Sequence, residues 1–130
     1  MAAGFIAGLR NACNDAMTTF IGSAGKLVIY SGTRPATGGA AGTVLATFTL
    51  GTPFAGASAA GVLTGNLPAG VNASATGTAS WARIFKTDGT TICMDLSCGT
   101  SGTEVILNST ALQINVACTV SSIVITDGNP

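Results

Sequence analysis

Near the start of the chain, apolar side chains recur at steps of three and four. Phe5, Ile6, Leu9, Cys13, Ala16, Met17, Phe20 and Ile21 fall on one side of a helical wheel, and Arg10, Asn11, Asn14, Asp15 and Thr18 on the other. This period predicts an amphipathic α-helix with its apolar stripe turned to a core. Gly22, Ser23 and Gly25 supply its C-terminal stop. The favoured reading is that the helix covers its own domain's sheet. The alternative is that it reaches a neighbouring subunit.

From Lys26 onward the period changes to two. Lys26 to Ser31 reads as a short strand ended by Gly32 and the turn-forming Arg34-Pro35. Pro35 to Gly42 is a Gly/Ala loop without packing residues. Thr43 to Leu50 alternates, with Val44, Ala46, Phe48 and Leu50 on one face, and Pro53 breaks it. Ala55 to Gly77 is poor in large side chains, and only Val62-Leu63 and Val71 to Ala75 suggest edge strands. Ser80 to Lys86 and Thr91 to Ser97 flank Asp88-Gly89, a pair that predicts a tight hairpin with both central residues at positive φ. The return strand is expected to point Ile92, Met94 and Leu96 inward, opposite Cys93, Asp95 and Ser97. Glu104 to Asn108 is a further strand.

The last run, Ala111 to Asp127, alternates at Leu112, Ile114, Val116, Cys118 and Val120, then changes phase at Ser121-Ser122. A bulge or a strand switching sheets would produce that change. About seven or eight short strands, with turn signals every ~8 to 15 residues, predict an antiparallel β-sandwich, with a jelly roll among its topologies. The expected division is an N-terminal helix and linker (1–25) ahead of a β-sandwich (26–130), one structural domain in all.

Composition narrows the chemistry. Only 8% of residues are charged, five Lys+Arg balance five Asp+Glu, and histidine is absent. A soluble domain ordinarily carries about a quarter charged residues, so this surface has little to resist association. Without histidine, Ser–His and Cys–His nucleophile pairs and His-containing zinc sites are excluded. The acids Asp15, Asp88, Asp95, Glu104 and Asp127 are scattered, with no spacing that suggests a shared cleft. The expectation is a protein that is not an enzyme, with no catalytic, cofactor or metal site.

Mean hydropathy is +0.55, yet no apolar run approaches the ~18 residues that span a bilayer. Arg10, Asn11, Asn14 and Asp15 interrupt the first apolar stretch, so it does not read as a secretion signal, and synthesis in the cytoplasm is expected. No basic footprint suggests nucleic acid. Cys13, Cys93, Cys98 and Cys118 read as buried free thiols, with a Cys93–Cys98 disulfide left open for an oxidising setting. Gly38-Gly39 and Gly99 to Gly102 lack the context of a phosphate loop. Asn72-Ala73-Ser74 and Asn108-Ser109-Thr110 match the glycosylation triplet only as Ser/Thr-rich chance. Trp81 near Arg83 is the single faint candidate for a carbohydrate face, against the plainer reading of a core anchor.

Larger blocks carry a resemblance. They are the helix motif Leu9-Arg10-Asn11, Asp15 and Ile21-Gly22, then Lys26 to Ala36 and the Val44–Leu50 strand. Gly77 to Gly102 (GTASWARIFKTDGTTICMDLSCGTSG) and a closing Leu107 to Asn129 complete the set. Together they resemble a family of small tailed-bacteriophage and prophage virion structural proteins. The resemblance implies a structural role in the virion and no catalytic residues. With the low-charge surface and the small-residue loops, the expected function is a capsid decoration, or cement, protein that binds the major capsid protein and copies of itself as a homo-oligomer. A tail, baseplate or fibre-associated component and a virion-surface carbohydrate-binding module are the alternatives. The expected contact regions are Pro35 to Gly42, Ala55 to Gly70 and the exposed edge of the helix.

Overall fold

In the computed structural model, residues 6–126 are described apart from Thr37 and Thr52, so Phe5 and Asp127 lie outside the described residues. One helix, α1 (Ala7–Ile21), precedes eleven strands. These are β1 (Lys26–Tyr30), β2 (Val44–Thr49), β3 (Val62–Thr64), β4 (Val71–Asn72), β5 (Gly77–Thr78) and β6 (Trp81–Phe85). Then come β7 (Ile92–Gly99), β8 (Val105–Leu107), β9 (Ala111–Leu112), β10 (Ala117–Cys118) and β11 (Val120–Thr126). The protein is mainly β, as the period-two runs predict.

Seven strands form one sheet in the order β2-β1-β6-β7-β8-β11-β3, and β4–β10 and β5–β9 are separate two-stranded ladders. The sheet curls, because Leu27 on β1 and Leu63 on β3, far apart in that order, share one buried cluster with Phe48, Phe54, Ile84 and Ile123. It is mixed rather than purely antiparallel. β7 and β8 run parallel through Cys98↔Val105, joined by a short loop with Gly102 at positive φ. β3 does sit at a sheet edge, beside β11, while Val71-Asn72 pairs with β10 instead.

The β6–β7 hairpin forms, with a different turn. Only Gly89 has positive φ (+71°), its N–H donates to Lys86 O (2.9 Å), and Lys86 N–H to Thr91 O (3.0 Å) spans a four-residue loop. Asp88 stays out of the left-handed region because its Oδ1 accepts the N–H groups of Thr90 and Thr91, both at 2.8 Å. That side-chain capping replaces the second positive-φ residue. A bulge then shifts the register between Phe85↔Ile92 and Ile84↔Met94, leaving Cys93 as the extra residue. Met94 and Leu96 face the main core as expected, and Cys93 joins them beyond the bulge.

The C-terminal run is not one strand. Val116 N–H donates to Gln113 O (3.0 Å) in a turn with Asn115 at φ +67°, which throws Ile114 and Val116 outward, 54% and 53% exposed. The phase change at Ser121-Ser122 is real: pairing with β8 slips between Val120 and Ser122.

The helix holds the largest correction. It forms where the period places it, and Gly22 (φ +73°) closes it through its N–H to Thr18 O. Its faces are reversed, however. Asn14 is fully buried, whereas Ile6, Leu9 and Phe20 are 78%, 49% and 46% exposed, and Cys13 and Ala16 are exposed too. Only Ile21 and the half-buried Met17 carry apolar bulk inward. The cause lies in the segment beneath. Ala59 and Val62 exchange both backbone hydrogen bonds across Ala60 and Gly61, at φ +51° and +76°. This two-residue hairpin turn leaves N–H groups that only polar atoms satisfy. Ser58 N–H donates to Asp15 Oδ1 and Gly61 N–H to Asn11 Oδ1, each at 2.9 Å, while Ser58 Oγ donates to Asn11 O. Polar side chains therefore dock the helix, and its apolar stripe is left outside.

Candidate functional site

Two features stand apart from ordinary packing: the outward stripe of α1, and a strap of loop held across the outer face of the sheet. The strap is the Gly/Ala segment around Gly38 and Gly39. Arg83 and Asp95 lie opposite each other on β6 and β7. Arg83 Nε donates to Asp95 Oδ1 (2.6 Å) and Nη2 to Oδ2 (3.1 Å). The same pair holds the strap: Arg83 Nη2 donates to Gly39 O (2.8 Å), and Gly38 N–H donates to Asp95 Oδ2 (3.0 Å). Within Pro35 to Gly42, Gly38 N–H and Gly39 O are the backbone groups that the clamp holds. Burial pushes the Asp95 carboxyl up, but the hydrogen bonds from Arg83 and Gly38 and the charges of Arg83 and Arg34 outweigh it and hold it below its ordinary value.

Beside the clamp lies a small second core of Val28, Tyr30 and Trp81, with Phe85 against it. Tyr30 and Trp81 stack at 4.4 Å, and the Arg83 guanidinium sits 5.0 Å from the Trp81 ring centroid. Trp81 is 1% exposed and Tyr30 4%. A sugar-stacking platform needs an open ring face, so Trp81 is a core anchor.

Among the described residues the carboxylates do not converge. Asp15 holds the 58–61 turn, Asp88 caps the hairpin loop, Asp95 pairs with Arg83, and Glu104 accepts from the hydroxyl of Ser97. Asp88 is lowered to about 2, chiefly by the Thr91 hydroxyl and then by the N–H groups of Thr91 and Thr90. An open cavity of about 380 Å³ is lined by Leu96, Gly102, Thr103, Glu104, Val124 and Ile125. Its one carboxylate, Glu104, is already bonded to Ser97.

Cys93 and Cys98 belong to the one strand β7. Five residue steps of extended chain set them about 16 Å apart, far beyond disulfide reach, which needs Cα atoms within ~7 Å. The expected burial holds for Cys98 and Cys118, whereas Cys93 is half-buried and Cys13 is exposed on α1. Desolvation pushes Cys98 up to about 12, helped by Cys118, and raises Cys118 and Cys93 as well.

Of the expected contact regions, the helix edge is the one that carries apolar surface in an ordered row. In Ala55 to Gly70 the only large apolar side chain left out is Leu67, at 53% exposed. Sequence reasoning missed the clamp because its register depends on the Cys93 bulge. It missed the outward stripe because an apolar stripe is ordinarily buried, and the demand of the 58–61 turn for polar partners comes from a distant part of the chain. The short polar cluster Asn11, Asn14 and Asp15, suited to capping a neighbouring loop, was the available signal.

Comparison of the chain with protein-family models, curated proteins and solved structures finds no match.

Proposed function

We propose that this chain is a structural protein of a tailed-phage virion, a capsid decoration protein that binds the shell of major capsid subunits and bridges neighbouring copies. In this reading the curled sheet and its two small ladders serve as a variant of a β-sandwich. One observation carries the proposal: an exterior poor in charge that presents an ordered apolar row on α1. Of the ten charged side chains, Arg83 and Asp95 are buried against each other, and Asp15, Asp88 and Glu104 are occupied by internal hydrogen bonds. Such a surface loses little solvation when covered, and the short Gly, Ala, Ser and Thr side chains of its loops lose little conformational freedom on contact. Many modest interfaces repeated by symmetry then add up through avidity.

A place in the tail, baseplate or fibre is the second reading. The three-and-four spacing of the apolar row favours it, because such rows join small symmetric oligomers. Quantitative mass spectrometry of purified virions separates the two. Copy numbers on the order of hundreds support the shell, a handful supports the tail, and absence from intact particles overturns both.

A further inference from the structure

We infer that the strap is a latch: it opens as a unit while the main core stays folded, and opening uncovers the stacked rings of Tyr30 and Trp81. The strand register places it over them. Tyr30, Trp81 and Ser97 stand side by side on β1, β6 and β7, and Val28, Arg83 and Asp95 form the next row. The chain leaves β1 just past Tyr30 and returns where Ser31 N–H donates to Thr43 O (3.2 Å). To reach Arg83 and Asp95 from that neck, both limbs of the strap pass over the aromatic row.

The strap's hold is polar. Its described residues, 32–36 and 38–42, include four glycines and no apolar side chain larger than proline. The clamp takes Gly38 N–H and Gly39 O, and Ser80 Oγ donates to Gly32 O. Arg34, on the outgoing limb, adds its positive charge toward Asp95 and Glu104. Gly39 N–H donates to Ala36 O (2.7 Å), so the tip is folded on itself and moves as one piece. Few buried apolar contacts and exposed backbone bonds are the marks of a segment that opens well below the cost of global unfolding.

Two further observations favour opening. The second core is separate from the main one: Leu27, Ile29, Ala82 and Ile84 point to one side of the sheet, and Val28, Tyr30 and Trp81 to the other. The closed strap also leaves Trp81 Nε1 buried without a hydrogen-bond partner among the described residues. Opening returns that donor to water and gives the glycine-rich limbs back their conformational freedom. Against this stand the clamp bonds and the burial of two rings, which keep the closed form the major one. The strap thus acts as an internal cover, and the aromatic face is presented by open molecules alone. The latch does not depend on the virion reading.

Trp81 is the one tryptophan, so acrylamide quenching of its fluorescence reads opening, and far-UV circular dichroism reads the sheet. Gly38 sits at φ +80°, and a Cβ there meets no atom within 4 Å. Gly38→Ala therefore strains the strap backbone alone, and Gly38→Pro also removes the N–H that Asp95 accepts. Gly89→Ala, at φ +71° in the hairpin loop with equal room, is the matched control. In the full-length protein, Gly38→Pro is expected to raise the quenching constant about threefold or more with circular dichroism unchanged. Gly38→Ala should lower the exchange protection of the Trp81 indole N–H about fivefold, and Gly89→Ala should leave it at the wild-type value. Quenching that stays at the wild-type level in Gly38→Pro, or rises only as circular dichroism is lost, overturns the latch. So does an equal response to Gly89→Ala. A Gly38→Pro chain that fails to fold overturns it as well, because the strap would then be part of the main cooperative unit.

Discussion

Arg83 and Asp95 show how much rests on one pair of side chains. Their side chains are 3% and 0% exposed, and each also holds the strap, Arg83 through Gly39 O and Asp95 through Gly38 N–H. Breaking a buried pair from one side leaves an uncompensated charge, at a cost of about 3–5 kcal/mol. Asp95→Asn is therefore expected to lower stability by about 3 kcal/mol in denaturant titrations followed by Trp81 fluorescence. The acid limb follows the same logic. Asp95, Glu104 and Asp88 all sit below their ordinary values in the folded protein. Their contribution is complete above the unfolded carboxylate range near ~4, and it is lost as pH falls through that range toward the folded values, about 2 for Asp88. With no histidine in the chain, the denaturation midpoint should stay level from about pH 8 to 5 and fall below about 4. Asp95→Asn should flatten part of that fall.

At the scale of elements, α1 departs furthest from its sequence pattern, and a cost is visible where it docks. The side-chain Nδ2 and Oδ1 of Asn14 and the Oγ1 of Thr18 are buried without a hydrogen-bond partner among the described residues. An unmade buried hydrogen bond costs about 1–3 kcal/mol. Asn14→Leu, of similar branched shape and on the same inward side as Met17 and Ile21, is expected to raise stability by about 1–2 kcal/mol on chemical denaturation. A fall in stability would show that the Asn14 amide is bonded in solution. The strands were legible in a way the helix face was not. β1, β2, β6 and β7 fall where period two places them, because alternation and turn residues are local properties. The three-way division of the C-terminal run was hidden, since Ile114 and Val116 keep the alternation of a strand while occupying a turn.

The whole molecule is governed by its lack of charge. Its five cations and five anions balance without histidine, so the side-chain net charge stays close to zero from about pH 5 to 8. Self-association measured by sedimentation should be unchanged across that window and weaken below about pH 4, where protonated carboxylates leave the molecule positive and mutually repulsive. What the sequence by itself determined is α1, the strands β1, β2, β6 and β7, the hairpin around Gly89, the slip at Ser121-Ser122 and the low content of charge. Each depends on neighbours a few residues away or on composition alone. Tertiary structure decided which face of α1 looks inward, the bulge at Cys93 that sets Asp95 opposite Arg83, and the curl that joins β1 and β3 in one core. A helical period marks the apolar stripe and does not say which side the rest of the fold will take. The choice was made by the bare N–H groups of a turn some fifty residues away, whose demand for polar partners outweighed the burial of Leu9 and Phe20.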